Sequence, residues 1–156
     1  IESAITQMGH VDILVNNAGV THLPGALEDI TEEDFDRVFA VNCKSVYLTA
    51  RALVPHFKHR KAGTILNIAS TAGVSPRPRL NWYNASKGWM ITATRTMAVE
   101  LAPEGIRVNA LNPVAGETSR PPSPGTRLAS RKSRGWERAV PRAGLRKPRH
   151  AGPERR

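Results

Sequence analysis

The sequence is short of several residue types, and each shortage excludes a class of protein. Its single cysteine, Cys43, excludes an intrachain disulfide and a cysteine-rich metal cluster. A lone cysteine also suits a reducing compartment, so we expect a cytoplasmic protein. No stretch approaches the roughly 18 consecutive apolar residues that a membrane span needs, and no basic-then-apolar signal peptide is seen. Without such a run we expect no membrane partner. The five histidines lack metal-site spacing, so we also expect no bound metal.

Positive charge is confined to one end of the chain. The net charge is +10, yet residues 1–118 hold 11 basic and 11 acidic side chains. Residues 119–156 hold 12 basic and 2 acidic side chains, together with six of the twelve prolines. A segment of that composition buries too little apolar surface to offset the entropy of ordering it. The sequence therefore predicts a neutral domain over residues 1–118 and a disordered, basic Arg/Pro-rich tail over residues 119–156.

Short apolar runs alternate with long helical stretches in the neutral domain. Strands are predicted over residues 11–15, 63–70 and 106–111, and helices over about 32–59 and 83–102. Thr31 is placed to cap the first long helix, with Asp34 three residues later. Strands that alternate with helices favour right-handed crossovers and a parallel sheet, so the predicted fold class is α/β.

Several polar residues are candidates for chemistry. Tyr83 and Lys87 lie four residues apart on one predicted helix face, where a cation favours the phenolate and suits a tyrosine to acid/base work. Ser70 ends a predicted strand, at the edge where an open parallel sheet places ligands. Asn42 interrupts an apolar stripe and needs hydrogen-bond partners there. The alternatives are structural: a surface tyrosine packed under a lysine stem, and a satisfied core asparagine that bridges two backbone segments.

Taken together, these motifs resemble those of the short-chain dehydrogenase/reductase family, in both order and spacing. The resemblance covers residues 1–118 and is closest to 3-oxoacyl-carrier-protein reductases and to sugar or alcohol dehydrogenases. It implies a partial Rossmann-like, doubly wound parallel sheet, corresponding to the second half of that fold. The motifs are Asn16-Asn17-Ala18-Gly19 after a strand, Asn42 in Val-Asn-Cys-Lys-Ser-Val, Ser70 in Asn-Ile-Ala-Ser, the Tyr83/Lys87 pair, and residues 112–118 in Asn-Pro-Val-Ala-Gly-Glu-Thr.

The resemblance also implies a role for each residue. Tyr83 would be the acid/base during hydride transfer between NADP or NAD and a carbonyl or alcohol substrate. Lys87 would lower the pKa of Tyr83 and bind the nicotinamide ribose, and Ser70 would hydrogen-bond the substrate oxygen. Asn42 would hold a water through a local helix distortion. The remaining cofactor contacts would come from Asn17, Ala18, Gly19, Pro113, Val114 and Thr118.

Two family features are not found in these 156 residues. The glycine-rich turn that receives the pyrophosphate is missing, and the family pattern ends at Thr118, so we expect a chain truncated at both ends. The excess of arginine over lysine beyond that point indicates out-of-frame translation as well as disorder. One alternative function is therefore a catalytically inactive fragment. Another is a basic-tailed nucleic-acid-binding protein, although Trp136 alone gives poor support for base stacking and we expect no nucleic-acid partner. The resemblance also implies that a full-length form makes homo-oligomers through the two long helices.

Overall fold

The computed structural model describes residues 1–114, which form helices on a small parallel sheet. The predicted residue Thr118 and the tail, residues 119–156, lie outside the described residues. In chain order the elements are helix α1 (Glu2–Met8), strand β1 (Ile13–Asn16), helices α2 (Glu32–Phe39) and α3 (Ser45–Arg60), strand β2 (Gly63–Ile68), helix α4 (Asn81–Leu101) and strand β3 (Ile106–Leu111).

The sheet has the order β1-β2-β3, and both strand pairs are parallel. Ile65 at its centre lies opposite Leu14 on one side and Val108 on the other. All three carboxyl ends therefore meet at one edge. The predicted α/β fold class is confirmed, and β3 has the predicted bounds. Strand β1 begins two residues later than predicted, at Ile13, and ends one residue later, at Asn16; the Asp12 carbonyl just before it accepts a hydrogen bond from the Thr64 amide of β2 at 2.9 Å.

The main core lies between the sheet and the two long helices. Phe57 and Ile65 are fully buried there, and each contributes about 1.5–3 kcal/mol relative to an exposed side chain. Glycine is required at Gly63, since an added Cβ would collide with the Phe57 ring. The buried cluster consists of Leu53, Phe57, Ile65, Leu101, Ile106 and Val108.

The sequence pattern predicted one continuous helix over about 32–59, but the structure interrupts it around Asn42, where the family resemblance implied a local distortion. Thr31 caps it as expected, accepting a hydrogen bond from the Asp34 amide at 3.2 Å. A five-residue π-helical turn, Ala40–Lys44, then separates α2 from α3. Single π turns inside α-helices are frequently found at functional sites, and this one contains Asn42.

The free edge of β1 is apolar. Among residues 1–114, β1 pairs with β2 alone, and Ile13 and Val15 are 63% and 51% exposed. A strand edge of this kind presents backbone donors and acceptors to whatever lies beside it. Within the same residues, no helix is long and apolar enough to cross a membrane.

Candidate active site

A cleft of about 400 Å³ opens at the carboxyl edge of the sheet. Its walls come from the loop after each strand and from the first two turns of α4. The loops after β2 and β3 are joined by a hydrogen bond from the Thr71 amide to the Pro113 carbonyl at 3.2 Å. The lining residues are Asn17, Gly19, Val20, Thr21, Ile68, Ala69, Ser70, Ala72, Arg77, Leu80, Tyr83, Lys87, Pro113 and Val114.

Lys87 projects from α4 to the base of this cleft. Its side chain is only 4% exposed, and Nζ donates to the Ile68 carbonyl at 2.9 Å, where β2 ends. Burial lowers the pKa of this ammonium from its usual 10.5. The same Nζ lies 6.0 Å from the centre of the Tyr83 ring. The strand end therefore fixes the lysine beside the tyrosine one turn away.

Gly19 leaves the space in front of Lys87 open. A Cβ at this position would lie 3.2 Å from Lys87 Nζ and 3.6 Å from Asn42 Oδ1. A larger side chain would therefore have to displace the ammonium or fill the cleft. The loop after β1 consequently offers backbone, rather than a side chain, to a ligand that sits over Lys87.

Asn42 is fully buried and satisfied on both ends of its amide. Its Oδ1 accepts from the Val20 amide and its Nδ2 donates to the Val20 carbonyl, both at 2.9 Å. Nδ2 also donates to Ser86 Oγ at 2.9 Å. The asparagine thus ties the loop after β1 to α4, and the π turn presents its side chain to both. The structural alternative, a bridge between backbone segments, describes these contacts.

Ser70 begins a tight turn that packs against α4. Its Oγ accepts a hydrogen bond from the Ala72 amide at 3.1 Å. Three residues later, Gly73 approaches α4 so closely that an added Cβ would lie 2.7 Å from the backbone carbon of Lys87. This close approach brings the Ser70 turn against the helix that carries Tyr83 and Lys87.

Cys43 lies behind the site and not in it. Its side chain is buried, with Sγ 3.8 Å from the Ser86 carbonyl. Burial raises the pKa of the thiol to about 11, and the charge of Lys87 opposes that shift. A thiol in this state is a poor nucleophile at neutral pH. Among residues 1–114, no three His, Cys, Asp or Glu side chains are grouped to hold a metal ion.

The cleft brings together seven of the residues predicted from the sequence. Two predicted residues do not line it: Ala18, and Asn42, whose side chain is occupied by Val20 and Ser86. Sequence reasoning also missed Arg77, although it lies between a strand-end serine and the helix that follows, which places it at the ligand edge. The seven are Asn17, Gly19, Ser70, Tyr83, Lys87, Pro113 and Val114.

Comparison with known proteins places this fold and cleft in a family. A sequence model described as short chain dehydrogenase matches residues 1–122. The 4-formylbenzenesulfonate dehydrogenase of Comamonas testosteroni is 48% identical over 118 residues, which are 76% of this chain and 47% of that protein. The chain spans about half the length of the curated relatives it matches.

Solved structures agree with this assignment. The 3-ketoacyl-(acyl-carrier-protein) reductase from Brucella melitensis, complexed with NADH, is 54% identical with a TM-score of 0.73, over 76% of this chain and 50% of that one. An NAD⁺-bound xylitol dehydrogenase is 37% identical with a TM-score of 0.69, over 72% and 43% of the two chains. The predicted resemblance and the Rossmann-like fold are thereby confirmed: the chain belongs to the short chain dehydrogenase family.

Proposed function

We propose that this chain carries the catalytic half of an oxidoreductase that transfers a hydride between NAD or NADP and a carbonyl or alcohol substrate. The observation that carries the proposal is the meeting of Ser70, Tyr83 and Lys87 in one cleft. The three side chains come from a strand-end turn and from a separate helix. Their roles are those that the family resemblance implies.

In this mechanism Tyr83 moves the proton. Its hydroxyl donates to the substrate oxygen during reduction and accepts from it during oxidation. Lys87 supports the charge on the phenolate, since its ammonium is held beside the ring by the Ile68 carbonyl. Because the lysine is almost fully buried, little water screens that interaction.

Ser70 fixes the substrate oxygen. Its Oγ already accepts a hydrogen bond from the Ala72 amide, so its own hydrogen is available for a second partner. A hydroxyl that donates to the substrate oxygen keeps that oxygen within reach of Tyr83. Asn42 keeps the loop after β1 and helix α4 in register, and we propose that its π turn also holds a water behind Lys87.

The cleft suits a nicotinamide nucleotide. The glycine at position 19 leaves room over Lys87, and Pro113 and Val114 add apolar surface to the cleft lining. When bound, this cofactor supplies or accepts the hydride. Lys87 and the backbone at Asn17 and Gly19 would hold its ribose. We assign NADP or NAD because the related structures named above contain NADH and NAD⁺, and because the related protein ElxO has been solved with NADPH and with NADP bound.

A chimera tests this proposal. Residues 1–114 replace the matching half of the Brucella melitensis reductase, and oxidation of NADH and NADPH is followed with a panel of aldehydes and ketones. We expect turnover, and we expect Lys87→Met to lower kcat and to raise the KM for the cofactor together. Lys58→Met, on α3 and away from the cleft, is the matched control. A chimera that folds but turns over no substrate would contradict the proposal.

We also propose that two copies associate through the long helices, in the cytoplasm. A groove beside the π turn is lined mainly by aromatic and small apolar side chains, with one acidic and one basic residue: Asp36, Phe39, Ala40, Cys43, Lys44, Tyr47 and Trp89. Tyr47 and Trp89 are 52% and 40% exposed, and aromatic residues of this kind are common in interfaces. Sedimentation of the chimera should give a dimer or a multiple of it, and Trp89→Glu should shift it towards monomer.

A further inference from the structure

Arg77 is a cleft residue that the mechanism above does not use. It lies in the segment between the Ser70 turn and α4, and it lines the same cleft as Ser70 and Tyr83. Among the residues that line this cleft, Arg77 and Lys87 are the two cations, and none is a carboxylate. Lys87 is committed to the Ile68 carbonyl and the tyrosine. Arg77 is therefore the cation of the cleft lining that has no role in the proposed proton transfer.

The backbone of Arg77 is held in place from several directions. Pro76 and Pro78 flank it, and a following proline confines a residue to extended conformations. The Asn84 side-chain Nδ2 donates to the Arg77 carbonyl at 2.8 Å, and Asn84 is buried beside Tyr83 on α4. The segment is thus tied to the helix turn that carries the proposed acid/base. The backbone of Arg77 is therefore fixed where this residue lines the cleft.

No intramolecular partner neutralises this guanidinium within residues 1–114. Over the same range the ion pairs involve His10, Arg37, Arg60 and Lys61 as the basic groups. Arg77 contributes its backbone carbonyl to the hydrogen bonds there, and its side chain contributes none. Its neighbour Arg79 does not line the cleft, and its own carbonyl is bonded to the Gly25 amide at 3.1 Å. Arg77 therefore lines the cleft, and Arg79 does not.

We propose that Arg77 binds an anionic group of the substrate, a carboxylate or a similar oxyanion, and so determines substrate specificity. The inference rests on the proposed function and adds the chemical class of substrate. A guanidinium presents two parallel N–H donors that match the two oxygens of a carboxylate. The fixed backbone reduces the ordering cost when the substrate binds. The same chemistry would also recognise a cofactor phosphate, so the test separates these two sources.

The test compares a charged probe with its neutral isostere on the 156-residue chain. 4-Formylbenzoate and 4-formylbenzamide are titrated separately, and the backbone amides of Ala72 and Gly19 report binding in the cleft by NMR. Reading these amides excludes binding to the basic tail. We expect the benzoate to bind about tenfold more tightly than the amide, the size expected for one charged hydrogen-bonded pair. Equal affinities would overturn the proposal.

Variants identify the residue responsible. Arg77→Gln should remove the preference for the benzoate, Arg77→Lys should restore part of it, and the matched control Arg79→Gln should keep it. Nicotinamide mononucleotide, which carries one phosphate, should bind equally to the parent and to Arg77→Gln. A loss of mononucleotide affinity without a loss of benzoate preference would assign Arg77 to the cofactor and overturn the proposal.

If the 156-residue chain aggregates, a second measurement in the chimera tests the same proposal. In the chimera, the ratio of kcat/KM for the benzoate to that for the amide should fall about tenfold in Arg77→Gln. An unchanged ratio in an active chimera would refute the specificity role and leave the proposed function standing. An inactive chimera with benzoate-selective binding in the 156-residue chain would instead refute the proposed function alone.

Discussion

Gly73 and Gly88 face each other where the Ser70 turn meets α4, and they should respond to alanine in opposite ways. At Gly73 an added Cβ would lie 2.7 Å from the backbone carbon of Lys87 and 2.8 Å from the Gly88 nitrogen. At Gly88 the nearest atom to an added Cβ is the Gly73 oxygen at 3.6 Å, an ordinary contact. An alanine side chain would therefore collide with backbone atoms at position 73 and would fit without a collision at position 88.

The expected magnitudes follow from these distances. Gly73→Ala must push the turn away from α4, because backbone atoms cannot rotate aside, and such overpacking costs about 1–3 kcal/mol. Gly88→Ala removes a flexible residue from the interior of a helix without a collision, which stabilises by about 0.5–1 kcal/mol. The two variants should therefore differ by about 1.5–4 kcal/mol in unfolding free energy.

Urea unfolding of the parent and both variants, followed by far-ultraviolet circular dichroism, measures this difference. Gly73→Ala should unfold at a lower urea concentration than the parent, and Gly88→Ala at the same or a higher one. In the chimera, Gly73→Ala should also lower kcat, since the turn that moves carries Ser70. A Gly73→Ala variant as stable as Gly88→Ala would refute the close packing of this turn on α4.

Three further predictions concern the buried groups around the cleft. Because burial lowers the pKa of Lys87 from 10.5, the folded chain binds fewer protons here than the unfolded chain, and this site's contribution to stability rises with pH up to about that value. In urea unfolding, the stability of the parent relative to Lys87→Met should therefore rise between pH 7 and pH 10, and a pH-independent difference would contradict the burial of this ammonium. The Cys43 thiol has a pKa of about 11, so at pH 8 it should react with iodoacetamide about a hundredfold more slowly in the folded chain than in the unfolded chain. Equal reaction rates in the two states would contradict its burial. Asn42→Ala leaves the Val20 amide and carbonyl without their hydrogen-bond partners, so it should lower the free energy of unfolding by about 2–4 kcal/mol in the same urea assay. A loss below about 0.5 kcal/mol would show that these hydrogen bonds do not stabilise the fold.

Features set by neighbouring residues could be predicted from the sequence. The observed bounds of strand β3 agree with the prediction, because apolar Ile106 and Val108 alternate with polar Arg107 and Asn109 and the run is closed by Asn112 and Pro113. The meeting of Ser70 with Tyr83 and Lys87 follows from two local rules. Parallel strands end at one edge, and residues four apart share a helix face. The cleft lining has the composition that these rules predict.

Features set by distant partners could not be predicted in the same way. Asn42 marks a polar break in the apolar stripe of residues 32–59, but the apolar spacing alone does not predict π geometry at Ala40–Lys44, and only the family resemblance implied a helix distortion there. The turn accompanies the bonds of Asn42 to Val20 and Ser86, which are 22 and 44 residues away in the chain. The position of Arg77 likewise depends on Asn84, seven residues away on another element. Such contacts exist only after the fold has formed.

The most direct test of the central claim compares the two tyrosines of the chain. In the chimera, Tyr83→Phe removes the proposed proton donor and little binding surface, while Tyr47→Phe removes an exposed hydroxyl outside the cleft. Turnover and the dissociation constant for NADH are measured for both variants. The account predicts that Tyr83→Phe loses at least about a hundredfold in kcat with NADH affinity nearly unchanged, and that Tyr47→Phe changes neither. Near-normal turnover by Tyr83→Phe would contradict it.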